Sequence, residues 1–252
     1  MISFLVAPAF AGQLEDADEA IQHGDYANAV TLLRPLAEGE NIEAEARLGK
    51  LYIDGKGVPR DIHQALVWLR KAAEHGNADA QFHLGLAYTM GIAGLHRDMD
   101  EGLAWLHKAA ELGDKRSQVA LADIYSAGAF FGLSRDDQRA FLWIRRAAES
   151  GDARYQTRLA NAFAEGKVAP RDEDQAVFWY RKAADQGDGG AQLILGARYG
   201  RGEGVPKDKV QALFWLKKAA EQNEANKALA AAYMKQLEIE DESSPSGEPA
   251  RH

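Results

Sequence analysis

The sequence predicts an all-α protein built from stacked helix pairs. One pattern, Ala-x-x-Trp-Leu-x-Lys-Ala-Ala-Glu-x-Gly in its clearest form, recurs five times with small variations. Within each copy, apolar residues recur at i, i+3, i+4 and i+7, which is the spacing of one helix face. The copies contain every tryptophan of the chain, with separations of 37, 38, 36 and 36 residues: Trp68, Trp105, Trp143, Trp179 and Trp215. A fixed period of this size predicts a solenoid, in which each unit buries its apolar face only against its neighbours.

The composition narrows the possible classes of function. The 252 residues carry a formal net charge of −8 and include no cysteine. An acidic chain without a basic patch is a poor ligand for nucleic acid. The absence of cysteine excludes disulfides, thiolate metal sites and thiol catalysis. No apolar run reaches about 18 residues, so the sequence predicts no membrane-spanning helix.

The first twelve residues favour an export signal. Residues 1–12 are mostly apolar, and the tripeptide Ala9–Ala11 fits the small-x-small pattern of a cleavage site before Gly12. A complete signal peptide is longer and begins with a positive charge, whereas the first basic residue here is Arg34. We therefore interpret residues 1–12 as a truncated signal-peptide remnant and expect an exported protein, periplasmic or secreted. The alternative is an apolar lead-in to the first helix of a cytoplasmic protein.

Residues 13–41 predict a helix pair that differs from the five units after it. Leu14, Ala17 and Ile21 keep helical spacing, and Gly24–Tyr26 resembles the turn between the two helices of a tetratricopeptide unit. We expect this pair to cap the N-terminal end of the array.

The five full units share one local pattern. The first helix carries Leu-Gly or Leu-Ala, and an aromatic residue follows three positions later on the same face, so that the small residue allows close helix approach. A Gly-rich loop leads to an aspartate that caps the second helix, as at Asp61 and Asp208, and an Asn or Asp after the unit caps the next first helix. The predicted units are 42–76, 77–113, 114–151, 152–187 and 188–223.

The C-terminal end predicts a closing helix followed by a tail. Residues 224–237 form a helix without a partner, which we expect to cap the stack. Residues 238–252 are acidic and rich in Ser, Pro and Gly, and this composition predicts a disordered acidic tail.

These patterns together resemble the Sel1-like repeat, a member of the tetratricopeptide-repeat-like superfamily. The resemblance rests on Leu-Gly-x-x-Tyr, Gly-x-Gly-Val-x-x-Asp and the tryptophan pattern, and it covers residues 42–223. It implies a right-handed α-α superhelical solenoid of helix-turn-helix repeats. It also implies an adaptor or scaffold that binds other proteins, often at bacterial envelopes, in signalling or in secretion.

Packing and capping account for every residue that recurs between the repeats, so none of these residues is a candidate for catalysis or metal binding. His96-Arg97-Asp98 matches a kinase triplet by its letters but occupies the loop position before a helix cap. The histidines lack a carboxylate at metal-ligand spacing, and we expect His107, which replaces an Arg of other copies, to face solvent. We therefore predict a non-enzymatic protein without metal or cofactor. A hydrolase with a site built across repeats is the less favoured alternative.

The residues that vary between copies define the predicted binding groove. By analogy with tetratricopeptide units, positions two before, two after and five after the Leu of Leu-Gly line the concave face. Together with the nearby Met90 they give a candidate peptide-binding groove: Lys50, Phe82, Leu86, Thr89, Met90, Asp123 and Asn161. Phe82, Leu86 and Met90 would hold an apolar side chain of a protein or peptide partner, and Asp123 and Asn161 would hold its backbone. Two alternatives stay open: that Phe82 and Leu86 are core contacts, and that the protein is a structural envelope component acting through its convex face or acidic tail.

Overall fold

The computed structural model describes residues 7–92, 95–128 and 134–243. In these ranges the regular elements are thirteen α-helices and no strand occurs, which confirms the all-α prediction. The helices are α1 (Ala7–Gln22), α2 (Tyr26–Glu38), α3 (Ile42–Asp54), α4 (Ile62–Glu74), α5 (Ala78–Met90), α6 (Met99–Glu111), α7 (Lys115–Ala127), α8 (Asp137–Glu149), α9 (Ala153–Glu165), α10 (Glu173–Asp185), α11 (Gly189–Arg201), α12 (Lys209–Ala220) and α13 (Glu224–Ser243).

The helices belong to two compact units, residues 1–133 and 134–252. The boundary lies in the loop between α7 and α8, which is the longest inter-helix loop that the sequence shows among the repeats. Within each unit every helix packs against the helix that follows it in the chain. This nearest-neighbour packing is the property that defines a solenoid.

The predicted helix caps are present at both kinds of joint. The carboxylate of Asp61 accepts a hydrogen bond from the backbone N–H of Gln64 at 3.1 Å, and Asp208 caps α12 in the same way. Asn77 caps α5. Asp136 also caps its helix by accepting from the N–H of Arg139, although Arg139 lacks the acid or amide of a capping box. A single side-chain acceptor is therefore sufficient at this position.

The small residue of the first helix sets the distance to the second helix. A Cβ placed on Gly85 would lie 2.7 Å from Cγ of Leu106, and one placed on Gly49 would lie 2.8 Å from Cγ of Leu69. The leucine of the partner helix therefore fills the space that a larger side chain would need. The tryptophans pack beside these contacts and are between 3% and 8% exposed.

Successive helix pairs are also joined by a series of glutamines, which we call the glutamine ladder. A glutamine near the start of a first helix donates its amide N–H to the backbone carbonyl of the residue eight positions earlier, near the end of the preceding second helix. The pairs are Gln81–Ala73, Gln118–Ala110, Gln156–Ala148 and Gln192–Ala184. The four glutamines are buried away from water, so each of these bonds gives a hydrogen-bond partner to a donor and an acceptor that would otherwise have none.

Both terminal helices extend beyond the bounds that the sequence predicts. Helix α1 begins at Ala7, so it includes half of the segment interpreted as a signal-peptide remnant. Helix α13 continues to Ser243, six residues beyond the predicted end at Leu237, which corrects the prediction of disorder for residues 238–243. Glutamates propagate a helix well, and no proline or glycine occurs between Glu224 and Ser243. The rest of the predicted tail, residues 244–252, lies outside the described residues.

Candidate functional site

Most of the predicted groove lies on the first helices of the repeats in the compact unit 1–133, which are α3, α5 and α7. Asp79, in the first turn of α5, accepts a hydrogen bond from the guanidinium of Arg116 on α7 at 2.6 Å. Its other carboxylate oxygen lies 3.6 Å from Nζ of Lys50 on α3. These three side chains form a line of alternating charge across three successive first helices, so the predicted residue Lys50 belongs to a connected polar surface.

Arg116 and Asp79 are both ionised at neutral pH. Partial burial acts to raise the pKa of Asp79, but the hydrogen bond from Arg116 and the nearby His83 and Lys50 outweigh it, so the pKa lies below its ordinary value. Burial acts to lower the pKa of Arg116, while Asp114 and Asp79 raise it above its ordinary value. The surface therefore presents fixed charges throughout the neutral pH range.

The predicted aromatic Phe82 sits inside this charged line. The guanidinium carbon of Arg116 lies 4.3 Å from the centre of the Phe82 ring, which is a cation–π distance. The ring of His83 meets it edge-on, with centroids 5.3 Å apart. Phe82 is half-buried, so it is both a structural contact and part of the surface.

A small apolar pocket adjoins this surface where α3, α4 and α5 meet. Its volume is about 150 Å³, a size at which an apolar cavity holds a benzene-sized group. Two predicted residues, Leu86 and Met90, contribute to it, and Met90 is 59% exposed at its edge. The lining residues are Ile53, Arg60, Ile62, Ala65, Leu66, Leu69, His83, Leu86, Ala87, Met90 and Ile92.

One polar atom in the pocket wall has no hydrogen-bond partner among the described residues. Nε2 of His83 is buried and makes no hydrogen bond; it lies 3.7 Å from a carboxylate oxygen of Asp79. Burial lowers the pKa of His83 below its ordinary value, although Asp79 opposes the shift. A neutral imidazole at the wall of an apolar pocket is able to exchange one hydrogen bond with a bound group.

Thr89 was predicted to line the groove, and this prediction is wrong. Thr89 is 3% exposed, and its hydroxyl donates to the carbonyl of Leu86 at 3.0 Å. The reason is Gly102 on α6: a Cβ on this glycine would lie 2.5 Å from Cγ2 of Thr89. The missing side chain lets α6 approach so closely that Thr89 becomes a packing residue.

The two polar groove residues do not take the predicted role together. Asp123 is exposed on α7 in the first unit, whereas Asn161 lies on α9 in the second. The side-chain oxygen of Asn161 accepts a hydrogen bond from the hydroxyl of Tyr180, so it is already used within its own helix pair. Burial raises the pKa of Tyr180 and keeps this donor protonated.

A recurrent contact that the sequence patterns did not predict joins a second helix to the following first helix. A basic side chain two positions after the tryptophan meets the hydroxyl of the tyrosine 18 residues later: Arg70–Tyr88, His107–Tyr125 and Arg181–Tyr199. His107 was expected to face solvent, but it is half-buried and bonded to Tyr125 at 2.8 Å. The constant spacing of 18 residues was the available signal.

Among the described side chains, no group of three or more His, Asp or Glu residues is placed to hold a metal ion. None of the described helices is long and apolar enough to cross a membrane.

Comparison with known proteins agrees with this geometry. The Sel1 repeat profile matches residues 42–77, 78–114, 115–152, 153–188 and 190–224. This chain belongs to the Sel1 repeat family. A solved Sel1 repeat protein from Oxalobacter formigenes is 30% identical, with a TM-score of 0.73 over 90% of this chain and 99% of that one. The c5321 protein, a protective antigen of uropathogenic Escherichia coli strains with an SLR fold, is 29% identical, with a TM-score of 0.66 over 96% of this chain and 58% of that one.

The family membership indicates a broad class of function. Sel1 repeat proteins are typically scaffolds for interactions between proteins, and the Sel1 fold is generally non-enzymatic. The predicted family and the all-α repeat fold are thereby confirmed.

Proposed function

We propose that this Sel1 repeat protein is a non-enzymatic adaptor that binds a peptide segment of a partner protein on the first helices of its first unit. The observation that carries the proposal is the apolar pocket next to the charged line of Lys50, Asp79 and Arg116. An apolar anchor beside fixed polar groups is the usual anatomy of a peptide-binding surface. A side chain of the partner enters the pocket beside Met90, and the neighbouring charges orient its backbone.

The pocket side chain Met90 provides the test. Peptides selected from a random linear phage-display library against the purified protein serve as the probe, and their affinity is measured by fluorescence polarisation. Met90→Lys places a charge at the pocket edge and is expected to weaken binding at least about tenfold, equivalent to about 1.4 kcal/mol. Because Met90 is largely exposed, the substitution leaves the fold intact, which circular dichroism checks.

Leu112 is the matched control, since it lies in the same unit and is also 59% exposed. Leu112→Lys is expected to leave the affinity unchanged. Equal losses for the two variants, or no loss for either, would show that the selected peptides bind elsewhere.

A specific observation also favours a second binding surface, on the second helices of the compact unit 134–252. The residue before the tryptophan is large, apolar and about half exposed in the three repeats of this unit: Leu142, Phe178 and Phe214. A structural role in the envelope through this surface is the alternative function. In that case the double variant Phe178→Lys and Phe214→Lys would weaken binding, and Met90→Lys would not.

We propose a periplasmic or secreted bacterial location, with the cytoplasm as the alternative. The Ala9–Ala11 tripeptide before Gly12 supports export. Mass spectrometry of the protein purified from its native host gives the mature N-terminus. A start at Gly12 supports export, and retention of Met1 contradicts it.

A further inference from the structure

The joint between the N-terminal helix pair and the first repeat departs from the glutamine ladder. In the four joints between consecutive repeats a buried glutamine donates to the carbonyl of an alanine eight residues earlier, as Gln81 does to Ala73. In the first joint the corresponding residues are Glu45 and Ala37. A carboxylate carries no proton to donate, so an ionised Glu45 cannot make this bond.

The burial of Glu45 makes the loss of this hydrogen bond costly. Glu45 is 0% exposed, and neither of its carboxyl oxygens has a hydrogen-bond partner among the described residues. Nδ1 of His75 lies 3.8 Å from one oxygen, beyond hydrogen-bonding distance. An unpaired charge in such a place is costly, whereas a neutral carboxyl that donates one hydrogen bond is well accommodated.

A second departure lies in the same joint. The turn after α2 places Glu40 at φ 62°, where the next joint has Gly76 at φ 89°. Glu40 is the single non-glycine residue with positive φ among the described residues. The first joint therefore has two acidic residues where the four joints between consecutive repeats have a neutral amide and a glycine.

We propose that Glu45 makes the joint between the N-terminal helix pair and the first repeat sensitive to pH. The protonated carboxyl donates to the Ala37 carbonyl in the way that the glutamine amides do in the later joints. Ionisation removes the donor, places a negative charge beside the carbonyl oxygen, and loosens α1 and α2 from α3.

Three charged or titratable groups act on the carboxyl: His75 at the C-terminal end of α4, Lys71 within α4, and Glu40 in the turn before α3. Burial raises the pKa of Glu45 above its ordinary value, while His75 and Lys71 act in the opposite direction. The folded joint therefore holds a proton more tightly than the unfolded chain. Its stability is full below the ordinary glutamate pKa, falls as pH rises from there to the raised pKa, and stays low above it.

The test compares the wild-type chain with Glu45→Gln, which installs the residue of the other four joints. Hydrogen–deuterium exchange of α1 and α2 is measured by mass spectrometry at about pH 4 and about pH 8, with each rate corrected for the intrinsic effect of pH. We expect Glu45→Gln to have protection factors at least about threefold higher than wild type at about pH 8, with the difference much smaller at about pH 4. Equal ratios at the two pH values would overturn the proposal, as would weaker protection of Glu45→Gln at both.

Two further variants separate the proposal from its competitors. If an ionised Glu45 paired with a protonated His75 holds the joint instead, His75→Asn will abolish the pH dependence and refute the proposal; we expect the dependence to persist. Gln81→Glu transfers the carboxyl to the next joint and is expected to make the exchange of α4 depend on pH in the same direction. The exposed substitution Glu74→Gln is the control and should change neither joint.

Discussion

Replacing Trp143 with alanine is expected to destabilise the second unit by about 3–5 kcal/mol. Trp143 lies on α8 and is 3% exposed, so removing its indole leaves a cavity in the core. Arg146, one turn later, lies with its guanidinium carbon 4.7 Å from the ring centre and loses that contact as well. Each helix of a solenoid is supported only by its neighbours, so the unit has no other core to compensate.

Urea unfolding followed by far-ultraviolet circular dichroism measures the effect. The transition of Trp143→Ala should lie at a lower urea concentration than that of wild type, or should split into two steps because the second unit unfolds first. Leu142→Ala is the matched control, because this adjacent side chain is 47% exposed and its removal should cost less than about 0.5 kcal/mol. An unchanged transition for Trp143→Ala would contradict the assigned role of the tryptophans.

Replacing Gly102 with alanine is expected to destabilise the first unit, although the sequence pattern predicts the opposite. The other four repeats have alanine at this position: Ala65, Ala140, Ala176 and Ala212. Glycine in a helix interior costs about 1 kcal/mol relative to alanine, so the repeat pattern alone predicts stabilisation. In the structure the new Cβ would lie 2.5 Å from Cγ2 of Thr89, 2.8 Å from its backbone N and 2.9 Å from the carbonyl oxygen of Gly85. Such overpacking costs about 1–3 kcal/mol.

Thermal unfolding of single and double variants tests this reversal. The double variant Gly102→Ala with Thr89→Ala should recover part of the loss, because it removes the methyl contact but leaves the two backbone contacts. Gly190→Ala serves as the control: its Cβ would meet only a side-chain oxygen of Asp188, at 3.3 Å, and helix propensity should stabilise it slightly. A higher melting temperature for Gly102→Ala would show that α5 and α6 separate easily.

The parts of the fold that were predicted correctly depend on neighbours close in sequence. A cap such as Asp208 acts on a backbone N–H three residues away, and the tryptophans lie on a helix face that a spacing of 3.6 residues defines. The extension of α13 to Ser243 was missed because acidic composition was given more weight than the helix propensity of glutamate.

The candidate site was predicted less well, because its residues depend on contacts with other helices. Leu86 and Met90 lie at one pocket as expected, whereas Thr89 on the same helix is buried. Asn161 is engaged by Tyr180, 19 residues away. His83, which the sequence did not single out for the groove, provides the unpartnered nitrogen in the pocket wall.

The sequence by itself determined the repeat period, the helix pairs, their caps and the family, since each follows from local spacing and composition. Only the tertiary structure decided which of the varying positions face a groove and which are buried. The physical reason is that the exposure of a helix position depends on how closely the next helix approaches. That distance is set by small residues elsewhere in the chain, as Gly102 sets it for Thr89. The environment of Glu45 was decided in the same way, by the burial that the folded joint imposes on its carboxyl.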